Sequence, residues 1–217
     1  MLRKIITSDG SETFHDDEMD EGYHSMAGAA KEALRKFSGP CLIQDIAKHG
    51  HITLLDICFG LGYNTAAAID TALESNPLCS ITVLALENDR GIMQRTQEVV
   101  PPFKSYSMVR KAALHGEASD GLISIGVYRG DAREEIRKLP PGQADAVFLD
   151  PFSPGKAPQM WTTAFLRNIR AIMRPGARMA TYSCAAVVRR NLREAGFIVT
   201  DTPPVGRRSP GTLAIRP

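Results

Sequence analysis

The sequence predicts an α/β fold: an open, mostly parallel sheet of seven strands with one strand antiparallel, helices on both faces, and an N-terminal hairpin with helices in front of it. Three observations carry this. From Thr53 onward, short apolar runs alternate with segments of helical spacing, the mark of βα units in a parallel sheet. The first of these runs lies in ITLLDICFGLGYNT (residues 52–65), which breaks into a glycine loop and then a helix start, where such sheets receive a nucleotide-like ligand. The last two strands have no helix between them, so one of that pair runs against the others.

Length and composition bound the answer. At 217 residues with 43% hydrophobic content, the chain can bury one sizeable core. The pattern divides it into an extension over residues 1–50 and one domain over residues 51–217. No apolar run approaches the roughly 18 residues of a membrane span, and MLRKIITSDG lacks the apolar core of a signal peptide. A cytoplasmic protein with no membrane partner is expected. Cys41, Cys58, Cys79 and Cys184 are scattered without C-x-x-C spacing, which suggests free thiols and neither a disulfide framework nor a metal site. Charge is uneven: residues 1–30 carry seven acidic side chains against Arg3 and Lys4, whereas ten arginines after Met160 face only Glu194 and Asp201. Such a tail could hold a polyanion, or merely solvate helix faces.

In chain order, Lys4–Thr7 and Ser11–His15 flank an Asp-Gly turn and read as a hairpin. Apolar and small residues at Met26, Ala29, Ala30, Ala33, Leu34 and Phe37 predict a helix from His24 to Phe37 with Ser25 as its cap. A short helix follows over 42–48. The first central strand is Thr53–Cys58, with a helix starting near Asn64; Ile81–Leu86 is the second strand, with a helix to about Val99. Residues 101–121 show no clear period. Ile123–Tyr128, Ala144–Leu149 and Ala177–Tyr182 are the third to fifth strands, separated by helices over 131–139 and 164–173. An arginine-bearing helix, Ala185–Ala195, precedes the closing pair Phe197–Thr200 and Thr212–Ile215. A parallel sheet ending in a helix-less strand pair is the layout of Rossmann-like class I methyltransferases, not of a plain dinucleotide fold.

The polar residues at the strand ends then acquire roles. Phe59, Gly60, Gly62 and Asn64 form the loop that would approach a cofactor, although G-x-G alone also describes a plain strand-to-helix turn. Glu87, followed by Asn88, ends the second strand, where a carboxylate can accept from both ribose hydroxyls. Asp131, next to Ala132, can accept from an adenine amine or cap a helix. Asp56, inside an apolar strand, needs a partner near the loop or a ligand's ammonium. Asp150 ends the fourth strand in FLDPFSPGKAPQMW, and the prolines at 151, 154 and 158 stiffen the loop behind it. A carboxylate held there can orient an amine for methyl transfer, while Phe152 and Trp161 could stack on a flat ring or simply pack under the loop.

Together FGLGYNT, LEND, RGDA, VFLDPFSPGKAPQMW, MATYSCAAVVRRNLREAGF and GRRSPGTLA resemble the methyltransferase domain of the tRNA 5-methylaminomethyl-2-thiouridine biosynthesis family, MnmC-type, over nearly the whole chain. The resemblance implies use of S-adenosyl-L-methionine to methylate the aminomethyl nitrogen on the wobble uridine of tRNA. It puts the cofactor against Gly60, Gly62 and Asn64, its ribose on Glu87, its adenine near Asp131 and Ala132, and the reacting amine near Asp150. Tyr23, His24 and Ser25 match the segment that closes over the methionine end; Tyr182 and Ser183 line the substrate pocket. Arg189 and Arg190 are the tRNA-facing candidates. The chain departs from the family in having Pro151 where bacterial members commonly have glycine, and nothing in it could hold the flavin-dependent oxidase domain of bifunctional members. Two other classes compete: an aminopropyltransferase of polyamine synthesis, which lacks its G-G-G-D-G loop here, and a non-catalytic nucleic-acid binding protein, which leaves the strand-end carboxylates without a role.

Overall fold

The structure is a computed structural model, and it describes residues 1–205 and 209–217. Arg207 and Arg208 of the arginine-rich tail, with Gly206 of the GRRSPGTLA motif, lie outside the described residues.

Strands β1 (Leu2–Ile6), β2 (Glu12–Asp16) and β3 (Glu21–Gly22) form a small antiparallel sheet. The hairpin is where the sequence indicates; the two-residue β3 is additional. Helix α1 (Ala29–Glu32) runs directly into a π-helical turn, Ala33–Ser38. Ser25 does not cap it. The first-turn donors of α1 are met from the hairpin instead: Ala30 N donates to Ser11 Oγ at 3.2 Å and Lys31 N to Asp9 Oδ2 at 3.1 Å. Gly28, at φ 134°, allows this approach, since an added Cβ would lie 2.2 Å from Asp9 Oδ2. Helix α2 (Ile43–Ala47) then leads to the main sheet.

That sheet has eight strands among the described residues: β4 (His51–Ile57), β5 (Ser80–Glu87), β6 (Glu117–Ser119), β7 (Ile123–Arg129), β8 (Ala144–Leu149), β9 (Met173–Thr181), β10 (Ile198–Asp201) and β11 (Thr212–Ile215), in the order β10-β11-β9-β8-β4-β5-β7-β6. The seven strands indicated by the sequence are all present, with β11 the antiparallel one between β9 and β10. The eighth, β6, pairs antiparallel to β7 and closes the far edge, so the sheet has two antiparallel strands rather than one. β6 follows helix α5 (Tyr106–His115), in the stretch where no period was legible.

Side chains alternate across the sheet with period two. Ile52 and Leu54 of β4 join Phe37, Ile69 and Val109 in the core on the side of α1, α3 (Tyr63–Ser75) and α5. Leu55 and Ile57 join Ile136, Leu166 and Val188 on the other, under α6 (Ala132–Glu135), α7 (Thr163–Ile172) and α8 (Ala186–Glu194). The central strands, buried on both faces, therefore read as continuous apolar runs. The remaining helix, α4 (Arg90–Arg95), starts after β5 with Asp89 as its cap, accepting from Gly91 N and Ile92 N.

Candidate active site

A cavity of about 700 Å³ opens at the carboxyl ends of β4, β5, β7 and β8, with the small N-terminal sheet and the segment after it as a roof. Such a volume suits a nucleoside-sized ligand with room beside it. The backbone of β4 turns into it through three left-handed residues, Cys58 (φ 65°), Gly60 (φ 55°) and Gly62 (φ 74°). A non-glycine residue there is uncommon, and strain of this kind gathers at ligand sites.

Glu87 fixes the loop. Its buried carboxylate accepts from Gly60 N, Asn88 N and Asp89 N, each at 2.8 Å. Burial raises its proton affinity, opposed by those backbone donors. One turn further, Asp131 caps α6 by accepting from Arg133 N at 2.9 Å, and the Arg133 guanidinium on the same carboxylate lowers its pKa. Asn88, Asp131, Ala132 and Phe59 all border the cavity beside Glu87. At Gly60 an added Cβ would sit 3.4 Å from the Tyr23 ring, so the loop and the roof are in close approach. Tyr23 is held by its hydroxyl, which donates to Asp89 Oδ2 at 2.7 Å, and its ring meets Phe152 edge-on with centroids 5.1 Å apart.

The other end of the cavity is acidic. Asp150 follows β8 on the α3 side of the sheet and accepts from Asn64 Nδ2 at 2.8 Å. Burial, then the nearby Glu32 carboxylate, push its pKa well above the usual range, against the pull of the Asn64 bond. Glu21, from β3, accepts from Ser153 N at 3.1 Å on each oxygen and lies 3.4 Å from the Tyr182 hydroxyl, which donates to Pro151 O at 3.0 Å. Glu21 and Glu32 both line the cavity. Sequence reasoning missed them: Glu21 reads as one more charge in an acidic run, and Glu32 with Lys36 reads as a solvated i,i+4 pair.

Of the site residues expected from the sequence, Tyr23, Ser25, Phe59, Gly60, Asn64, Glu87, Asn88, Asp131, Ala132, Asp150, Phe152 and Tyr182 border this one cavity. Five do not. Asp56 is 0% exposed and turns toward α3, its Oδ2 accepting from Thr65 Oγ1 at 2.6 Å, because even-numbered positions of β4 face that helix. Gly62 packs against Val109 and Phe59 instead of a ligand. Trp161, 2% exposed, lies in the core with its Nε1 donating to Phe152 O at 3.0 Å, so it props the loop from behind. Arg189 bonds Thr212 Oγ1, Gly211 O and Asp201, tying α8 to the β10–β11 edge. Arg190 is exposed and 3.8 Å from Glu194.

A family model for S-adenosyl-L-methionine-dependent methyltransferases matches residues 94–217. The crystal structure of MnmC2 from Aquifex aeolicus superposes with a TM-score of 0.90 at 33% identity, covering 99% of this chain and 69% of that one. The chain belongs to the MnmC-type family of S-adenosyl-L-methionine-dependent methyltransferases. An uncharacterized protein of Methanocaldococcus jannaschii is 31% identical over 98% of this chain and 59% of its own length. The tRNA 5-methylaminomethyl-2-thiouridine biosynthesis bifunctional protein MnmC of Cupriavidus necator is 29% identical over 90% of this chain, which spans only 32% of that protein. As a member of this family the chain is a methyltransferase whose cofactor is S-adenosyl-L-methionine. The cavity fits that group: Gly60 leaves the loop backbone bare beneath Tyr23, where an added Cβ would meet the ring.

Proposed function

We propose that this methyltransferase acts in the cytoplasm on tRNA, methylating the aminomethyl nitrogen on the wobble uridine to give 5-methylaminomethyl-(2-thio)uridine. The observation that carries the reading is Asp150: a buried carboxylate, steadied by Asn64, at the acidic end of a cavity whose other end suits a nucleoside. An acidic, enclosed subsite beside the cofactor favours an amine over a hydroxyl or a carboxylate as the group that enters.

In this reading Glu87 would hold the ribose, Asp131 and Ala132 the adenine, and Gly60, Asn64, Tyr23 and Ser25 the methionine end. S-adenosyl-L-methionine supplies a methyl group on a sulfonium, which a neutral amine in line with it can take. The raised proton affinity of Asp150 suits it to take a proton from an incoming ammonium and leave the nitrogen lone pair free. Phe152, edge-on to Tyr23, and Tyr182 would flank the base, and the roof over them keeps water from the reacting nitrogen. The relative from Cupriavidus necator, by its name, makes the same modified uridine, which supports the choice of substrate.

The acidic end would also suit a polyamine, so the test carries both chemistries. Labelled S-adenosylmethionine is incubated with unfractionated tRNA bearing aminomethyl uridine, and putrescine with decarboxylated cofactor is run in parallel. Label in the wobble nucleoside is expected. Aminopropyl transfer to putrescine with no label in tRNA would overturn the substrate and the reaction together.

A further inference from the structure

Glu32 and Lys36 lie one turn apart where the helix passes from α to π spacing. Both are nearly sealed from solvent, 6% and 3% exposed, and Lys36 Nζ donates to Glu32 Oε1 at 2.8 Å. A buried ion pair adds little to stability over apolar residues of the same size, and π-turns inside helices gather at functional sites. The pair therefore has a role beyond holding the helix. Glu32 borders the cavity, and its second oxygen accepts from Ser25 N at 2.8 Å, which fixes the carboxylate against the roof segment. Its charge reaches Asp150 strongly enough to be, after burial, the main influence raising that group's proton affinity.

A second observation points to a ligand at the same spot. Asn64 is 5% exposed, gives its Nδ2 to Asp150, and leaves Oδ1 buried without a partner among the described residues. A buried acceptor without a donor is costly unless something supplies one. Asp150, Glu32 and Asn64 thus bring two carboxylates and an amide to the wall of one cavity, and a primary ammonium carries three N–H donors for such acceptors.

We propose that Glu32 is the second carboxylate of the amine subsite, receiving the substrate as an ammonium together with Asp150 and Asn64 before Asp150 takes its proton, with Lys36 as its counter-ion when no amine is bound. This rests on the amine reading of the cavity given above. Lys36 keeps the empty subsite from holding an unbalanced charge, and its own burial keeps it from competing with the ligand for open space.

The test is calorimetric binding of 5-aminomethyluridine and 5-hydroxymethyluridine to protein saturated with S-adenosylhomocysteine. It compares wild type, Glu32→Gln, and Glu32→Gln/Lys36→Met, the last removing both charges so that no lysine is left buried and unpaired. Wild type is expected to prefer the aminomethyl nucleoside by about tenfold or more, as a charge-assisted bond in an enclosed site should. In both variants that preference falls to within about threefold while S-adenosylhomocysteine affinity stays within about twofold. Preference retained in the folded double variant overturns the role of Glu32 alone. A wild type that does not distinguish the two nucleosides overturns the amine reading itself, and the role of Glu32 with it.

Discussion

Asp150 is the residue on which turnover should depend most. Asp150→Ala is expected to lower kcat by about 10²-fold or more, the usual scale for a lost proton acceptor, while S-adenosylhomocysteine still binds by calorimetry. Unchanged turnover would remove Asp150 from the mechanism. Asp56 makes a different prediction because it lies behind the cavity, not in it. Burial raises its pKa from 3.8 to about 7, opposed by the Thr65 bond. The folded chain therefore holds a proton there that the unfolded chain releases near pH 4, so its stabilising share is full below that pH and is lost as pH rises toward 7. Wild type should lose about 2 kcal/mol of unfolding free energy to this group between pH 5 and 7.5, and Asp56→Asn should not, as urea titrations at the two pH values would show. At this scale the sequence was informative wherever a polar residue ended an apolar strand, as Glu87, Asp131 and Asp150 do. It was silent where a helix changes spacing: the π-turn that buries Lys36 leaves no mark in AKEALRKF, which reads as an ordinary amphipathic helix.

Among the elements, the turn from β4 into α3 depends on Gly62. Its φ of 74° is left-handed, and an added Cβ would lie 2.4 Å from Val109 Cγ1 and 2.7 Å from Phe59 Cζ. Gly62→Ala should cost about 2–3 kcal/mol by denaturant unfolding, and Val109→Ala in the same chain should recover only part, because the backbone strain remains. The β10–β11 edge is held by Arg189, so Arg189→Ala is expected to cost about 1–2 kcal/mol, most of it from the bonds to Thr212 and Gly211. Arg190→Ala, at an exposed and long ion pair, should change stability by less than about 0.5 kcal/mol. The two neighbours thus separate by structure what their sequence presents as one basic patch. Helix α5 escaped the sequence reading for a related reason. Its buried face is Tyr106, Val109, Ala112 and Ala113, at helical spacing, but an aromatic with a hydroxyl and two alanines make a weak apolar signal. The strand β6 is three residues long with exposed ends, too short to show an alternation. The sequence points to Ser25 as the cap of α1 because the true acceptors, Asp9 and Ser11, come from the hairpin about twenty residues earlier, beyond the reach of a local motif.

For the whole molecule, the cavity joins the N-terminal sheet to the main one through Tyr23–Asp89 and Glu21–Ser153, so a ligand that fills it should stabilise both at once. S-adenosylhomocysteine at about a hundred times its Kd should add about 2.7 kcal/mol and raise Tm in a single cooperative transition. A rise confined to one of two separate transitions would show that the roof and the sheet respond independently. No helix among the described residues is long and apolar enough to cross a membrane. The cavity wall draws on residues from Ile5 to Tyr182, and Tyr182 follows directly on β9, the strand that pairs with β8. During synthesis, then, the first strands must wait on the ribosome for a partner surface made more than a hundred residues later. The cofactor cannot chaperone the earliest strands, and it can select only molecules made at least as far as Tyr182.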